Sequence, residues 1–274
     1  MSDHMTQSQR LETLVEAFKA DSREYRDLTT PPDTEGRRRL LRSLMNVRMP
    51  RPLDADTLRL QDAYLTERAR ERGVVSLGEI PVLRDGVSVW CGDITCLAAD
   101  AIVNAANSAM LGCFVPMHSC IDNCIHTYAG VQLRADCARQ MNLLRAEYGP
   151  DYRQPTAVPM LTEGYNLPAK KVIHIVGPVV EGELTPRHER ELADCYRAVL
   201  ELCRDNGITS VAFCGISTGV FHFPRQRACE IAVHTVLSWL RSNPGVPERV
   251  IFNVHRPDEQ RRYETVISDF YKNL

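Results

Sequence analysis

The stretch DAIVNAANS at residues 100–108 combines a short apolar run with two asparagines, a pattern typical of a buried strand that ends in a polar loop. Residues 101–103 are all apolar, as in a strand that is covered on both faces of a parallel sheet. Ligands of such sheets bind at the carboxyl ends of the strands. Asn107 is therefore a candidate ligand contact through its amide, which both donates and accepts hydrogen bonds. Asn104 could equally well brace the backbone.

Short apolar strands alternate with amphipathic helices from about residue 82 onwards. The predicted strands are residues 87–90, 101–103, 157–161, 172–176, 211–214 and 250–254. The predicted helices are residues 119–129, 131–147, 188–206, 224–242 and 257–271. Gly130, Gly149 and Gly207 stand at positions where glycine commonly ends a helix. The alternation predicts an α/β sandwich with a mostly parallel sheet between layers of helices.

Residues 1–80 follow a different pattern, with apolar residues at helical spacing and breaks at Pro31-Pro32 and at Pro50-Arg51-Pro52. We predict about three helices here and no strand, with Asp54 as the N-cap of the third helix. The apolar faces of these helices need to be covered. Residues 1–80 are therefore expected to form a helical N-terminal extension that packs on a main domain of residues 81–274.

The composition is that of an ordinary globular protein, with 44% hydrophobic and 25% charged residues. This excludes a mainly disordered chain. The net charge of -2 offers no electrostatic basis for binding nucleic acid or an anionic membrane. No apolar run approaches the ~18 residues of a membrane span, and the polar start MSDHMTQSQR lacks the apolar core of a signal peptide. A cytoplasmic location is expected.

Ten cysteines are scattered through the chain without a secretory signal, so free thiols are expected and most of them should be buried. Cys113, His118 and Cys120 are the exception, because their C-x4-H-x-C spacing places two thiols and an imidazole close together. Zinc favours these ligands, and three protein ligands leave a fourth coordination position open. The spacing is too short for a four-ligand structural finger, so a catalytic or substrate-binding zinc is the favoured interpretation.

Asp122 follows this group directly, in the predicted first turn of a helix. Its carboxylate is either a favourable charge at the helix N-terminus or a group that orients or deprotonates a water molecule beside a metal. His126, one turn later, is more typical of a histidine packed inside the protein.

Two further loops follow predicted strands. In Gly92-Asp93-Ile94-Thr95 the aspartate could cap the next segment or accept a hydrogen bond from a ligand amine. Residues 215–221, GISTGVF, combine two glycines and two hydroxyls before a helix, which favours a phosphate cradle of backbone N–H groups. A plain strand-to-helix turn is the alternative. The loop is neither a Walker sequence nor a dinucleotide-binding glycine motif.

Three stretches, GDIT at residues 92–95, DAIVNAAN at 100–107 and GISTGVFHFP at 215–224, resemble the macrodomain family in order and spacing. The resemblance extends from about residue 82 to the end of the sequence. It implies a three-layer α/β/α sandwich that binds ADP-ribose, with a mixed, mostly parallel sheet.

The segment GCFVPMHSCID, residues 112–122, stands where most macrodomain hydrolases have a run of glycines, and it resembles the zinc-containing microbial subclass. By this resemblance Cys113, His118 and Cys120 would bind one zinc ion per chain. Residues 37–65 resemble the helical extension of the same subclass.

The resemblance also implies a role for each loop. Asp93 would accept a hydrogen bond from the adenine amino group, with the Ile94 backbone beside it. Asn107 and Asp122 would face the distal ribose as candidate catalytic residues. The residues expected to wrap the diphosphate are Ser217, Thr218, Gly219, Val220 and Phe221.

The activity that the resemblance implies is zinc-dependent hydrolysis of mono-ADP-ribose from modified proteins, at an oxygen-linked and acidic acceptor side chain. Two alternatives remain: a non-catalytic ADP-ribose reader with the same pocket, and a hydrolase of a small O-acyl-ADP-ribose. Relatives in the zinc subclass are associated with a sirtuin-like ADP-ribosyltransferase and a lipoyl-carrier protein, which are therefore expected partners.

Overall fold

Eight α-helices, two short 3₁₀-helices (Leu77–Glu79 and Ile94–Cys96) and eight strands lie within residues 5–273, the part of the chain that the computed structural model describes. The outer ends of the two predicted units, residues 1–4 and 274, lie outside this part. The helices are α1 (Gln7–Ala20), α2 (Thr34–Val47), α3 (Ala55–Arg72), α4 (Ile121–Ala129), α5 (Val131–Tyr148), α6 (Pro186–Asp205), α7 (Arg225–Ser242) and α8 (Pro257–Lys272). The strands are β1 (Val75–Ser76), β2 (Val87–Cys91), β3 (Leu97–Ala98), β4 (Ala101–Ala106), β5 (Met160–Glu163), β6 (Lys171–Val176), β7 (Ser210–Phe213) and β8 (Arg249–Val254). No helix of the described residues combines the length and the apolar character that crossing a membrane requires.

Six strands form the main sheet in the order β2-β8-β7-β4-β6-β5. All neighbours are parallel except β5, which is antiparallel to β6 at one edge. β4 pairs with β6 along its whole length but with β7 only at Ala101 and Ile102. The carboxyl ends of β4 and β7 therefore separate. The strand order changes direction at this point, and ligands of open α/β sheets bind at such a switch point.

Alternate residues of the strands face two helical layers, as expected when a sheet is covered on both sides. Val87 and Val103 belong to the apolar core that lies against α6, α7 and α8. Ile102 and Val172 belong to the core that the sheet shares with α4 and α5. The predicted three-layer sandwich with a mixed, mostly parallel sheet is confirmed.

The three N-terminal helices share a small core of their own, to which Leu11, Leu14 and Phe18 belong, and α2 and α3 contact α4. Asp54 caps α3 as predicted, since its side chain accepts a hydrogen bond from the Thr57 N–H at 2.8 Å. The extension therefore covers the outer side of the α4–α5 layer.

The buried guanidinium of Arg134 on α5 joins this extension to the sandwich. Its Nη1 donates to the carbonyl oxygens of Met45, Asn46 and Arg48 at 3.1, 2.8 and 2.6 Å, at the carboxyl end of α2. Its Nε donates to the carbonyl oxygen of Leu111 at 2.7 Å. A cation is favourable at the carboxyl end of a helix. Burial lowers the pKa of Arg134 to about 10, so the group remains charged at neutral pH.

Two details differ from the expectations drawn from the sequence. Residues 1–80 were expected to contain no strand, but β1 pairs in parallel with β3. The chain is extended there after it leaves α3 at Gly73, whose φ is 90°, and two residues carry no readable periodicity. The strand expected at residues 157–161 begins only at Met160, because Ala157 has a φ of 62° and Pro159 has no N–H to pair.

The cysteines of the described residues are free, and most of them are buried as predicted. The buried ones are Cys96, Cys137, Cys195, Cys203, Cys214 and Cys229. Four cysteines keep partial exposure, namely Cys91, Cys113, Cys120 and Cys124.

Replacing Arg134 by methionine should lower the free energy of unfolding by about 2–4 kcal/mol, because carbonyl oxygens from two segments lose a charged donor. Denaturant unfolding measures the change. Arg139→Met on the same helix is the matched control, since that guanidinium is 65% exposed and pairs with Asp136; its effect should stay within about 0.5 kcal/mol. Equal stability of the two variants would contradict a tie between extension and sandwich through Arg134.

Candidate active site

A cleft of about 510 Å³ opens at the carboxyl ends of β4, β7 and β8. Its volume lies in the range of pockets that hold small ligands and cofactors. Its walls come from the loop after β7, from the end of β8 with the two residues that follow it, from residues 118–121 at the start of α4, and from side chains of α8 such as Arg262 and Tyr263. All five residues predicted to wrap a diphosphate are among its walls, together with His118 and Cys120.

The loop after β7 is closed by hydrogen bonds within itself. The Phe223 N–H donates to the carbonyl oxygen of Ser217 at 3.0 Å, and the His222 N–H donates to that of Gly219 at 3.1 Å. Among the described residues, the N–H groups of residues 218–221 have no protein acceptor. The loop leads directly into the N-terminus of α7. Free N–H groups beside a helix N-terminus form a site that favours an anion.

Cys113, His118 and Cys120 come together on the loop of residues 107–120 between β4 and α4, which we name the cysteine loop. Their ligand atoms all lie within 4.8 Å of one another, and Cys113 Sγ lies 3.5 Å from His118 Nδ1. Tetrahedral metal–ligand bonds of about 2.0–2.3 Å place neighbouring ligand atoms roughly 3.5–3.8 Å apart. The three side chains therefore have the chemistry and the spacing to hold a tetrahedral metal ion.

The electrostatics of the cysteine loop also favour a cation. Burial raises the pKa of Cys120 to about 12, and the neighbouring thiol of Cys113 and carboxylate of Asp122 act in the same direction. Thiolates form in such a setting when a positive ion compensates their charge, so metal binding and thiol ionisation would be coupled.

The N-terminal extension holds the cysteine loop in place through two residues of α2. Arg42 Nη2 donates to the carbonyl oxygen of His118 at 2.8 Å, and Asn46 Oδ1 accepts from the Met117 N–H at 3.0 Å. Met117 has a φ of 59°, an uncommon backbone state that these contacts stabilise. The position of the candidate metal ligands thus depends on the extension.

Asp122 stands at the beginning of α4 and is 5% exposed. Asn104 Nδ2 donates to its Oδ1 at 2.8 Å, and Asn107 Nδ2 donates to its Oδ2 at 3.3 Å. Burial raises the pKa of Asp122 to about 6, although the hydrogen bond from Asn104 and the charge of Arg134 oppose the shift. The predicted pair Asn107 and Asp122 is therefore brought together, with Asn107 at the beginning of the cysteine loop and Asp122 just after its end.

Asn104 is fully buried, and it braces the side chain of Asp122 rather than the backbone. Its Nδ2 also lies 3.0 Å from His174 Nδ1, and His174 Nε2 lies 3.0 Å from Thr162 Oγ1. An amide nitrogen only donates, so His174 accepts at Nδ1 and carries its proton at Nε2. Burial lowers the pKa of His174 to about 4, which keeps the ring neutral. The carboxylate of Asp122 is thus oriented by a buried polar chain.

His126 is buried on α4, as expected for a packed histidine. Its Nε2 lies 3.6 Å from Asp122 Oδ1, too far for a hydrogen bond. Burial lowers the pKa of His126 well below its ordinary value, and the nearby His174 contributes. The ring packs against Gly112, where a Cβ atom would lie 2.7 Å from His126 Cδ2. Gly112 therefore allows the cysteine loop to pass close to α4.

Asp93 lies on the loop after β2, and its side chain is 49% exposed. Its Oδ1 accepts from the N–H and the hydroxyl of Thr95 at 2.9 and 2.6 Å. The preceding Gly92 is bonded to the cleft wall, since its N–H donates to Val254 and its carbonyl oxygen accepts from Asn253 Nδ2. Ile94 follows with a buried side chain. The predicted amine acceptor thus adjoins the cleft and is accessible.

Several residues around the site were not predicted from the sequence. Arg134 and His174 hold parts of the site in place, and Arg72 pairs with Asp93. An arginine on an amphipathic helix or a histidine in an apolar strand carries no local signal for such a role, because the partner groups lie in distant segments.

Comparison with known proteins agrees with this architecture. A sequence profile described as the Macro domain matches residues 103–232. A protein named "Protein-ADP-ribose hydrolase" from Treponema medium is 46% identical over 268 residues, which cover 96% of this chain and all of that protein. A protein of the same name from Staphylococcus aureus strain MSSA476 is 41% identical, over 93% of this chain and 94% of its own length.

Solved structures show the same fold. The crystal structure of a Trypanosoma brucei macrodomain in complex with ADP-ribose superimposes with a TM-score of 0.63 and 28% identity. The match covers 82% of this chain and 94% of the other. On the sequence relationship and the shared fold, the chain belongs to the macrodomain family.

Proposed function

We propose that this protein is a hydrolase that removes mono-ADP-ribose from modified proteins, at an oxygen-linked acidic side chain, with release of ADP-ribose. The observation that carries the proposal is the buried Asp122 carboxylate, which two asparagines orient beside three half-buried metal-type ligands. Two of these ligands, His118 and Cys120, line the cleft. A binding module needs the anion loop but has no need for an oriented, buried carboxylate beside such ligands. The relatives named as protein-ADP-ribose hydrolases support the same activity.

The binding part of the proposal rests on the loop after β7. Its free N–H groups and the N-terminus of α7 would hold the diphosphate, and the exposed carboxylate of Asp93 would accept from the adenine amine. These contacts lie on loops separate from Asp122. The distal ribose would therefore be placed at the end of the cleft that contains His118 and Cys120.

Zinc fits the donor set of the cysteine loop, because two thiols and an imidazole match its ligand preferences and their ligand atoms are close enough together to share one ion. When bound there, zinc would supply Lewis acidity next to the distal ribose or the acceptor oxygen. Cys113, His118 and Cys120 would hold it, and Arg42 and Asn46 would hold the loop.

The chain's own residues would direct the attack of water. Asp122 would accept a proton from the water as its oxygen bonds to the anomeric carbon, and the carbon–oxygen bond to the acceptor breaks. The acceptor oxygen keeps the electron pair and leaves as a carboxylate. Asn104 would hold the carboxylate of Asp122 in one orientation throughout, and Asn107 would help to place the ribose hydroxyls.

The substrate that we propose to test first is a lipoyl-carrier protein modified by a sirtuin-like ADP-ribosyltransferase. This choice follows from the resemblance of residues 37–65 and 112–122 to the zinc-containing subclass. A small O-acyl-ADP-ribose is the comparison substrate, because it contains the same ADP-ribose group without the protein.

The purified protein should contain about one zinc ion per chain, because thiolate and imidazole ligands match its preferences. Elemental analysis measures the content. Cys120→Ser should lose the metal, whereas Cys91→Ser should keep it, since Cys91 is a half-buried cysteine outside the ligand group. Equal metal content in both variants, or none in the unaltered protein, would rule out this site.

Asp122→Asn should reduce the release of ADP-ribose from a modified protein by about 10²–10⁴-fold, because the amide cannot accept the proton of the attacking water. ADP-ribose affinity should change little, since the contacts to adenine and the diphosphate lie on other loops. Zinc content should also change little, since Asp122 is not one of the three candidate metal ligands. Asp56→Asn, at a position 90% exposed in the extension, is the control and should keep full turnover.

Two outcomes would contradict this assignment. Normal turnover in a folded, zinc-loaded Asp122→Asn variant would exclude a catalytic role for the carboxylate. If the unaltered protein released nothing from several modified acceptors while it bound ADP-ribose, the protein would be a reader and the hydrolase proposal would be wrong.

A further inference from the structure

Arg72, the last residue of α3, extends from the N-terminal extension to the loop that contains Asp93. Its Nη2 donates to Asp93 Oδ2 and, at 2.6 Å, to Thr95 Oγ1. The guanidinium carbon lies 3.5 Å from the centre of the Tyr128 ring on α4, a cation–π contact. The Arg72 side chain is 13% exposed, whereas that of Asp93 is 49% exposed. Arg72 is therefore a packed group behind an accessible carboxylate.

The acceptor positions of Asp93 are almost fully used. A carboxylate offers about four lone-pair positions, two on each oxygen. Thr95 occupies both positions of Oδ1 through its N–H and its hydroxyl, and Arg72 occupies one position of Oδ2. One position of Oδ2 remains for a ligand. Thr95 holds Oδ1, and Arg72, which is packed on the Tyr128 ring, holds Oδ2, so the two residues together set the direction of that position.

Other residues of α3 also attach this helix to the sandwich. Gln61, in the middle of α3, accepts from the Val131 N–H at 3.1 Å and donates to Gln132 at 2.7 Å. Asp62 accepts from Asn166 Nδ2 at 2.8 Å. The contact between Arg72 and Asp93 is therefore available for a role in ligand recognition.

We propose that Arg72 is a positioning residue for the purine: it orients Asp93 so that the free position of Oδ2 receives the exocyclic amine of adenine. This inference rests on the proposed ADP-ribose function and adds a specificity to it. A 6-oxo purine such as hypoxanthine presents an acceptor oxygen at that point, which the oriented carboxylate would repel. The N-terminal extension thereby takes part in selecting a 6-aminopurine.

The test compares the affinities of ADP-ribose and of its hypoxanthine analogue, inosine diphosphate ribose, by calorimetry on the protein with its N-terminal extension. Arg72→Ala should weaken ADP-ribose binding about tenfold, the effect of losing one charge-assisted contact to the ligand-binding group. Its affinity for the hypoxanthine analogue should change less than about twofold, so the preference for adenine falls. Arg70→Ala, whose side chain is 69% exposed and pairs with Glu67, should leave both affinities unchanged.

A double-mutant cycle with Asp93→Ala separates positioning from a general structural effect. If Arg72 acts through Asp93, adding Arg72→Ala to the Asp93→Ala variant should weaken ADP-ribose binding no further. Melting temperatures identify variants that fail to fold. Arg72→Met is the substitute in that event, because methionine keeps an unbranched apolar stem and has no N–H group to donate to Asp93.

Three results would overturn the inference: unchanged affinities in folded Arg72→Ala, an equal loss for both nucleotides, or a further loss on the Asp93→Ala background. Comparing the Arg72→Ala and Asp93→Ala single variants also separates a failure of this inference from a failure of the adenine contact in the proposed function. If Asp93→Ala weakens ADP-ribose binding and Arg72→Ala does not, only the role of Arg72 is wrong. If Asp93→Ala itself has no effect, the adenine contact on which the inference rests is wrong.

Discussion

The buried guanidinium of Arg134 is the interaction on which the arrangement of the site depends. It accepts no hydrogen bond and must be surrounded by acceptors, which come from the carboxyl end of α2 and from Leu111 in the cysteine loop. A charge removed from water is costly unless such partners remain in place. The extension, the cysteine loop and α5 are therefore held together, and displacement of any one leaves a buried charge without its partners.

Different physical means serve the two ends of the cleft. The loop after β7 offers main-chain N–H groups, so its binding capacity depends on the path of the chain more than on particular side chains. The opposite end depends on side chains that are buried and oriented. Asn104 lies on β4, in the middle of the sheet, and a group held by a central strand has little freedom to move. The carboxylate of Asp122 is consequently held by a buried residue of a central strand.

The N-terminal extension is part of the site rather than an appendage to it. α2 holds the cysteine loop through Arg42 and Asn46, and the end of α3 reaches Asp93 through Arg72. Both contacts involve residues that the sequence pattern predicts only as parts of amphipathic helices. Covering an apolar face and shaping a ligand site are thus combined in the same helices.

The sequence by itself determined the elements whose signals are local. The order of strands and helices, the cap at Asp54, the C-x4-H-x-C group and the glycine- and hydroxyl-containing loop before α7 each lie within a few residues, and short-range stereochemistry makes them recognisable. Only the tertiary structure decided that Asn104 braces Asp122, that His174 supports Asn104, and that Arg134 and Arg72 join the extension to the site. The partners in these contacts are far apart along the chain: 18 residues for Asn104 and Asp122, 70 for Asn104 and His174, 89 for Arg134 and Met45, and 21 for Arg72 and Asp93. Whether a polar group is buried, and which acceptor it meets, depends on segments that come together only when the chain folds.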